Sequence, residues 1–205
     1  MDTTNTVLLA IGAFLLGAVP FSVLIGRGLM RKDITTYGDG NPGAANVFRA
    51  GSIKMGLLAV LMDVAKGVPM VLIASEVCHL PGISLALIGT SAVLGHAFSP
   101  FLKMRGGKAI SVTFGVLLAM PQRDILLVFI IFMLIGFMVL NTDSWIPVLG
   151  STGTSVYLFL TDGRSWSLLL MLCILGIFII KHFESLRTLP GWNGRLLRWV
   201  QSRNH

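Results

Sequence analysis

A polar, glycine-rich segment from Tyr37 to Arg49 lies between two long apolar runs and carries residue types that bind phosphate. Glycine lets backbone N–H groups approach an anion, asparagine adds amide donors, and arginine adds a permanently charged fork. The candidate binding residues of this segment are Gly38, Asp39, Gly40, Asn41, Gly43, Asn46 and Arg49. Because glycine and asparagine also build tight turns, the segment alone leaves an anion site and a surface turn equally open.

Asp63 and Lys66 stand three positions apart inside an apolar run, so they are neighbours on one side of a helix. Charged side chains within a membrane-spanning segment are paired or face a polar cavity. The pair is therefore either a functional site, with Lys66 contacting a substrate, or a structural ion pair that fixes helix packing. Both alternatives stay open at this point.

A second candidate phosphate site is the step Gly106-Gly107-Lys108, which precedes another apolar run. Helix N-termini attract anions, and the two glycines allow close backbone approach. His96 precedes this step at the end of an apolar helix, where a hydrogen-bonded structural histidine and a catalytic one are both possible readings. Toward the C-terminus, His182 and Glu184 form a fourth polar group at the end of the last apolar run.

The composition identifies an integral membrane protein, because 54% of the 205 residues are hydrophobic and only 12% are charged. The pattern predicts an all-α bundle of about seven transmembrane helices, forming a single domain over residues 1–205. The predicted spans lie near Thr3–Gly26, Met55–Ser75, Gly82–Leu102, Ile110–Met120, Ile125–Leu140, Trp145–Leu160 and Ser165–Ile180. Residues 183–205 are expected to form an interfacial tail, because tryptophan and leucine alternate there with arginine.

Lysine and arginine concentrate in alternate loops, so the positive-inside rule places the N-terminus outside and the C-terminus in the cytosol. With this orientation all four polar groups reach the cytosolic side. The net charge of +7 then reflects membrane topology, and nucleic-acid binding is not needed to explain it. A basic, glycine-rich pocket beside lipid suits an enzyme that handles an anionic headgroup. No nucleophilic triad or metal-ligand cluster is recognisable, so no metal and no cofactor are expected.

The four groups, in this order, resemble the bacterial acyl-phosphate:glycerol-3-phosphate acyltransferases, which are integral membrane enzymes. The family's glycine-rich motif matches Gly38 to Asn46 followed by Arg49, and its Asp-x-x-Lys-Gly element matches Asp63 to Gly67. Its third motif matches Gly95, His96, Pro100, Phe101, Gly106, Gly107 and Lys108. The fourth, His-Arg-Glu-Asn, is half kept as His182-Phe183-Glu184-Ser185.

The resemblance implies that the protein transfers an acyl group from acyl phosphate to glycerol 3-phosphate, giving lysophosphatidic acid for phospholipid synthesis. It further implies that the first loop holds acyl phosphate, while Arg49, Lys108 and His182 hold glycerol 3-phosphate. His182, His96 and Lys108 are the implied catalytic residues, although the substrate's own phosphate is an alternative base. The implied setting is the bacterial inner membrane, among its lipids and beside the enzyme that makes acyl phosphate.

Several positions depart from the family pattern. Asp39 and Ala45 replace serine and threonine in the first motif, and Phe183 and Ser185 replace arginine and asparagine in the fourth. A carboxylate in a phosphate cradle repels phosphate unless Arg49 or a lysine offsets its charge. The alternatives are therefore a paralogue that acylates another acceptor, or a membrane transporter or binder of small anionic phosphate esters. The absence of a recognisable internal repeat favours the enzyme over the transporter.

Overall fold

The computed structural model describes residues 2–161 and 165–191. Helices dominate this part of the chain, and it divides into two compact units, the first ending at Arg123 and the second beginning at Asp124. The helices are α1 (Asp2–Ala18), α2 (Phe21–Leu29), α3 (Ala44–Arg49), α4 (Ile53–Ala65), α5 (Pro69–Leu72), α6 (Gly82–Ala97), α7 (Ile110–Ala119), α8 (Arg123–Val139), α9 (Trp145–Thr161) and α10 (Trp166–Leu186). The single domain over residues 1–205 stays a prediction.

Four helical segments are long and apolar enough to cross a membrane: Asp2–Leu29, Ile53–Val77, Gly82–Leu102 and Trp166–Leu186. Helix α7 is a shorter apolar helix of 10 residues, and α8 and α9 have 17 residues each. A helix is therefore present at each of the seven predicted spans, and the all-helical architecture is confirmed. The count of seven membrane crossings stays a prediction. Most of the predicted interfacial tail, from residue 192 onward, lies outside the described residues.

The first unit is held together where α1 packs on α6 through small residues. A Cβ atom added at Gly17 would overlap the backbone of Ala92, and one added at Gly95 would overlap the backbone of Phe14. Small residues at helix crossings let two backbones approach closely, which is how helices associate inside lipid. This crossing places the C-terminal end of α6, with His96, beside the end of α1 at Ala18.

The first apolar run is interrupted, although the sequence predicts one continuous helix there. Helix α1 ends at Ala18 and α2 begins at Phe21, because Pro20 cannot donate a backbone hydrogen bond. The carbonyl groups freed by this break are bonded by side chains from other segments. Ser99 Oγ donates to the carbonyl of Ala18 at 2.6 Å, and Lys66 Nζ donates to that of Val19 at 2.8 Å.

A small hydrophobic core lies beneath the glycine-rich loop and joins α2, α3 and α4. Its fully buried members include Ile34 from the loop, Val47 from α3 and Ala59 from α4. Asp33 starts the short 3-10 helix Ile34–Thr36 by accepting the backbone N–H of Thr35. The loop is thus anchored by burial on one side, which leaves its polar residues free to face the other.

The second unit contains α9 and α10, which pack on each other, together with α8. Phe129 of α8 and Phe178 of α10 are fully buried. The buried hydroxyl groups of α9 are satisfied within the helix, since Ser151, Thr154 and Ser155 each donate to the carbonyl four residues earlier. Because these hydroxyl groups are hydrogen-bonded, their burial in an apolar interior does not leave unsatisfied polar atoms.

Candidate functional site

The glycine-rich loop adopts a backbone conformation that only glycine takes without strain at two positions. Gly38 and Gly40 have φ values of 57° and 71°, in the left-handed region. Gly38 also lacks room for a side chain, because an added Cβ would lie 2.6 Å from Asn46 Oδ1 and 2.7 Å from Arg49 NH1. The loop can therefore fold back over the short helix α3, which carries Asn46 and Arg49.

Asn46 is the central hydrogen-bonding residue of the loop and is fully buried. Its Nδ2 donates to the carbonyl of Asn41 at 2.8 Å and to Asp39 Oδ1 at 3.1 Å. Its Oδ1 accepts a hydrogen bond from Arg49 NH1 at 2.8 Å. The side chain thus fixes the loop on one side and aims the Arg49 guanidinium on the other.

The two predicted phosphate-binding motifs meet at Asp39. Lys108 Nζ lies 2.8 Å from Asp39 Oδ2, and Arg49 NH1 lies 3.6 Å from Asp39 Oδ1. The sequence predicted that a cation must offset this carboxylate, and two cations, Lys108 and Arg49, lie beside it. Partial burial raises the pKa of Asp39, but hydrogen bonds from Lys108, Asn41 and Asn46 and the charge of Lys108 outweigh it and lower that pKa to about 2.

The Gly106-Gly107 step packs directly against the end of α6. The backbone N–H of Gly107 donates to the carbonyl of His96 at 3.1 Å, and a side chain on Gly107 would overlap the His96 imidazole. Ala109, which follows Lys108, has a φ of 62° and caps the start of α7. A left-handed conformation costs an alanine roughly 1 kcal/mol. The close packing of Gly106 and Gly107 against α6, here called the corner, therefore fixes the backbone position of Lys108.

Replacing Gly106 with alanine is expected to destabilise the protein, because the new Cβ would overlap the backbone carbonyl of His96. Overpacking of this kind costs about 1–3 kcal/mol. We expect a lower midpoint of thermal unfolding in detergent and a loss of activity. Gly28→Ala is the matched control, since a Cβ at Gly28 has no other atom within 4 Å. An unchanged midpoint in Gly106→Ala would contradict the packing described here.

Asp63 and Lys66 form a buried ion pair, with 2.8 Å between Lys66 Nζ and Asp63 Oδ1. Ser22 Oγ donates to Asp63 Oδ2 at 2.7 Å, and His96 Nδ1 lies 3.9 Å from Asp63 Oδ1. Lys66 also bonds the carbonyl of Val19, so its ammonium group joins α4 to the break after α1. These contacts favour the structural role for Lys66, and a substrate contact stays a prediction.

Ser22 and Ser99 were not among the residues singled out in the sequence. Each is buried and forms a hydrogen bond of 2.7 Å or less that holds the polar cluster together. Their only signal in the sequence is a hydroxyl group within an apolar run. Many serines in other helices have the same surroundings, so this signal does not distinguish these two. A small cavity adjoins the cluster and is lined in part by Pro42 of the loop and Gly107 of the corner. The polar cluster and both predicted phosphate-binding motifs therefore border the same cavity.

His182 and Glu184 belong to the second unit and lie near the end of α10. His182 is buried, with its ring 6.4 Å from that of Phe178 in an edge-to-face arrangement. Glu184 is exposed, and its carboxylate lies 3.3 Å from the Arg187 guanidinium. Substrate binding by these two residues, and catalysis by His182, stay predictions.

Known proteins related in sequence match nearly the whole chain. The family model described as glycerol-3-phosphate acyltransferase matches residues 7–190. A glycerol-3-phosphate acyltransferase of Geotalea daltonii is 31% identical over 91% of this chain and 94% of its own length. One from Coxiella burnetii is 33% identical over 86% of this chain and 90% of its own length.

A solved structure agrees with the sequence relatives. The crystal structure of PlsY (YgiH), an integral membrane glycerol 3-phosphate acyltransferase in its glycerol 3-phosphate form, superposes with a TM-score of 0.80 at 28% identity. The alignment covers 95% of this chain and 98% of that protein. With the family model and the relatives above, this establishes that the chain belongs to the glycerol-3-phosphate acyltransferase family.

Proposed function

We propose that this protein transfers an acyl group from acyl phosphate to the primary hydroxyl of glycerol 3-phosphate, giving lysophosphatidic acid and inorganic phosphate. The observation that carries the proposal is the convergence of Lys108 and Arg49 on one oxyanion, the carboxylate of Asp39. Side chains that hold a carboxylate in this way also hold a phosphate oxygen. The relatives are named for glycerol-3-phosphate acylation, and PlsY was solved with glycerol 3-phosphate and with lysophosphatidic acid.

In the proposed reaction the hydroxyl oxygen attacks the carbonyl carbon of acyl phosphate. A new ester C–O bond forms, and the bond from the carbonyl carbon to the phosphate oxygen breaks and releases phosphate. The hydroxyl proton passes to a phosphate oxygen of the substrate, with His182 or His96 as the alternative acceptor. Because acyl phosphate is already activated, the protein mainly positions the substrates and offsets their negative charge.

Each part of the site has a proposed task. The loop from Gly38 to Asn46 offers backbone and amide donors to acyl phosphate, and Arg49 and Lys108 bind the phosphate of glycerol 3-phosphate. His96 holds the corner through its hydrogen bond with Gly107, and Lys66 binds Asp63 and the carbonyl of Val19. We place this site at the cytosolic face of the bacterial inner membrane, in a chain that crosses it seven times with its N-terminus outside.

A donor and acceptor panel tests the proposal. Purified protein in detergent is offered acyl phosphate or acyl coenzyme A, each with glycerol 3-phosphate or glycerol. We expect an ester product only from acyl phosphate with glycerol 3-phosphate. A product that forms equally from glycerol would show that the cationic pair does not bind the acceptor's phosphate. Use of acyl coenzyme A in place of acyl phosphate would contradict the proposed donor.

A further inference from the structure

Arg49 of the loop and Lys108 of the Gly106-Gly107 corner both lie close to the Asp39 carboxylate. Its carboxylate receives Lys108 Nζ at 2.8 Å, Asn46 Nδ2 at 3.1 Å and the backbone N–H of Asn41 at 3.2 Å, with Arg49 NH1 3.6 Å away. These are the cations and two of the donors that the proposed function assigns to substrate phosphate. The site therefore already holds an anion supplied by the chain itself.

The carboxylate is accessible from solvent, unlike the ion pair beneath it. The side chain of Asp39 is 41% exposed and that of Lys108 is 33% exposed, whereas Asp63 and Lys66 are at 3% and 2%. Exposed ion pairs are held weakly, because water competes for both partners. A phosphate arriving from solvent can thus reach the Lys108 ammonium group once the Asp39 side chain rotates away.

Asp39 is ill suited to act as a base. With its pKa lowered to about 2, the carboxylate stays ionised at neutral pH and accepts protons poorly. Its charge is instead permanent and lies beside the two cations. A phosphate group brought to the same cations would face like-charge repulsion from this carboxylate.

We propose that the Asp39 carboxylate competes with phosphate groups for Lys108 and Arg49. A phosphate group binds these cations only by displacing the carboxylate, so the affinities for inorganic phosphate and for glycerol 3-phosphate are lowered by a similar factor. The phosphate that the reaction releases is therefore held weakly. This inference rests on the proposed function.

Asp39→Asn tests the proposal, because it removes the charge and keeps the shape of the side chain. We expect this variant to lower both the KM for glycerol 3-phosphate and the inhibition constant of inorganic phosphate by about tenfold, with little change in kcat. The matched control is Asp33→Asn, which removes a carboxylate paired with Arg27 at 2.9 Å, just before the 3-10 helix that precedes the loop. The control is expected to leave both constants unchanged.

A second readout does not depend on turnover: the concentration of inorganic phosphate that raises the thermal unfolding midpoint. In Asp39→Asn this concentration is expected to fall, whether or not the wild type makes lysophosphatidic acid. If the wild type is inactive and Asp39→Asn still binds phosphate more tightly than the wild type does, the proposed function is refuted and the competition by Asp39 stands. Unchanged or weakened phosphate binding in Asp39→Asn would overturn the inference, as would a folded variant whose main defect is kcat.

Discussion

Lys108→Ala is expected to lower kcat/KM for glycerol 3-phosphate by about 30- to 1,000-fold, which corresponds to roughly 2–4 kcal/mol of lost stabilisation. The reason is the position of the ammonium group, 2.8 Å from an oxyanion in the loop and on a rigid corner. Removing it leaves Arg49, 3.6 Å from Asp39, as the remaining cation of the pair. Initial rates over a range of glycerol 3-phosphate concentrations measure the effect.

Lys103→Ala is the control for this experiment. Lys103 lies in the same connection between α6 and α7 and is exposed. Its replacement by alanine removes the same charge as Lys108→Ala does. We expect it to retain wild-type kinetics. Lys108→Arg keeps the charge but presents a planar fork, so it is expected to recover only part of the activity. Equal losses in the Lys103 and Lys108 variants would mean that total loop charge, and not the placement of Lys108, governs substrate binding.

Asp63→Asn and Lys66→Met are each expected to destabilise the protein by about 3–5 kcal/mol, because each leaves an unpaired charge in a buried site. Lys66→Met additionally removes the side-chain donor to the Val19 carbonyl. The two side chains are at most 3% exposed, so water cannot replace the missing partner. The midpoint of thermal unfolding in detergent is expected to fall by about 10 °C in either variant.

The double variant Asp63→Asn with Lys66→Met removes both charges and is expected to recover part of the lost stability. Asp33→Asn serves again as the control, since the Arg27–Asp33 pair is exposed and its loss is expected to leave the midpoint close to that of the wild type. A double variant less stable than either single variant would contradict the ion pair. So would single variants that unfold at the wild-type temperature.

The structure brings together several residues that the sequence predicted for the site, and substrate binding by them stays a prediction. Glycine spacing in the loop and the Gly106-Gly107-Lys108 step predicted two phosphate-binding motifs, and the charge of Asp39 predicted a nearby cation. Their convergence follows from helix packing between distant segments, which residue spacing does not encode. Lys66 illustrates the limit, because its pairing with Asp63 follows from their spacing, whereas its second partner is a backbone carbonyl 47 residues earlier in the chain.

The fold was similarly predictable in its elements and less so in its interruptions. Apolar runs predicted the helices well, since long apolar stretches are helical in lipid. The break at Val19 and Pro20 was missed, because proline within a spanning helix is tolerated when other groups bond the freed carbonyls. Here Ser99 and Lys66 do so, and neither residue is near Pro20 in sequence.

One measurement tests the central claim most directly: the formation of lysophosphatidic acid by purified protein given acyl phosphate and labelled glycerol 3-phosphate, without coenzyme A or added metal. We expect labelled lysophosphatidic acid and an equal amount of inorganic phosphate, with both nearly lost in Lys108→Ala. Folded wild-type protein that yields no labelled lipid would contradict the proposed activity. Product formation undiminished in Lys108→Ala would contradict the site.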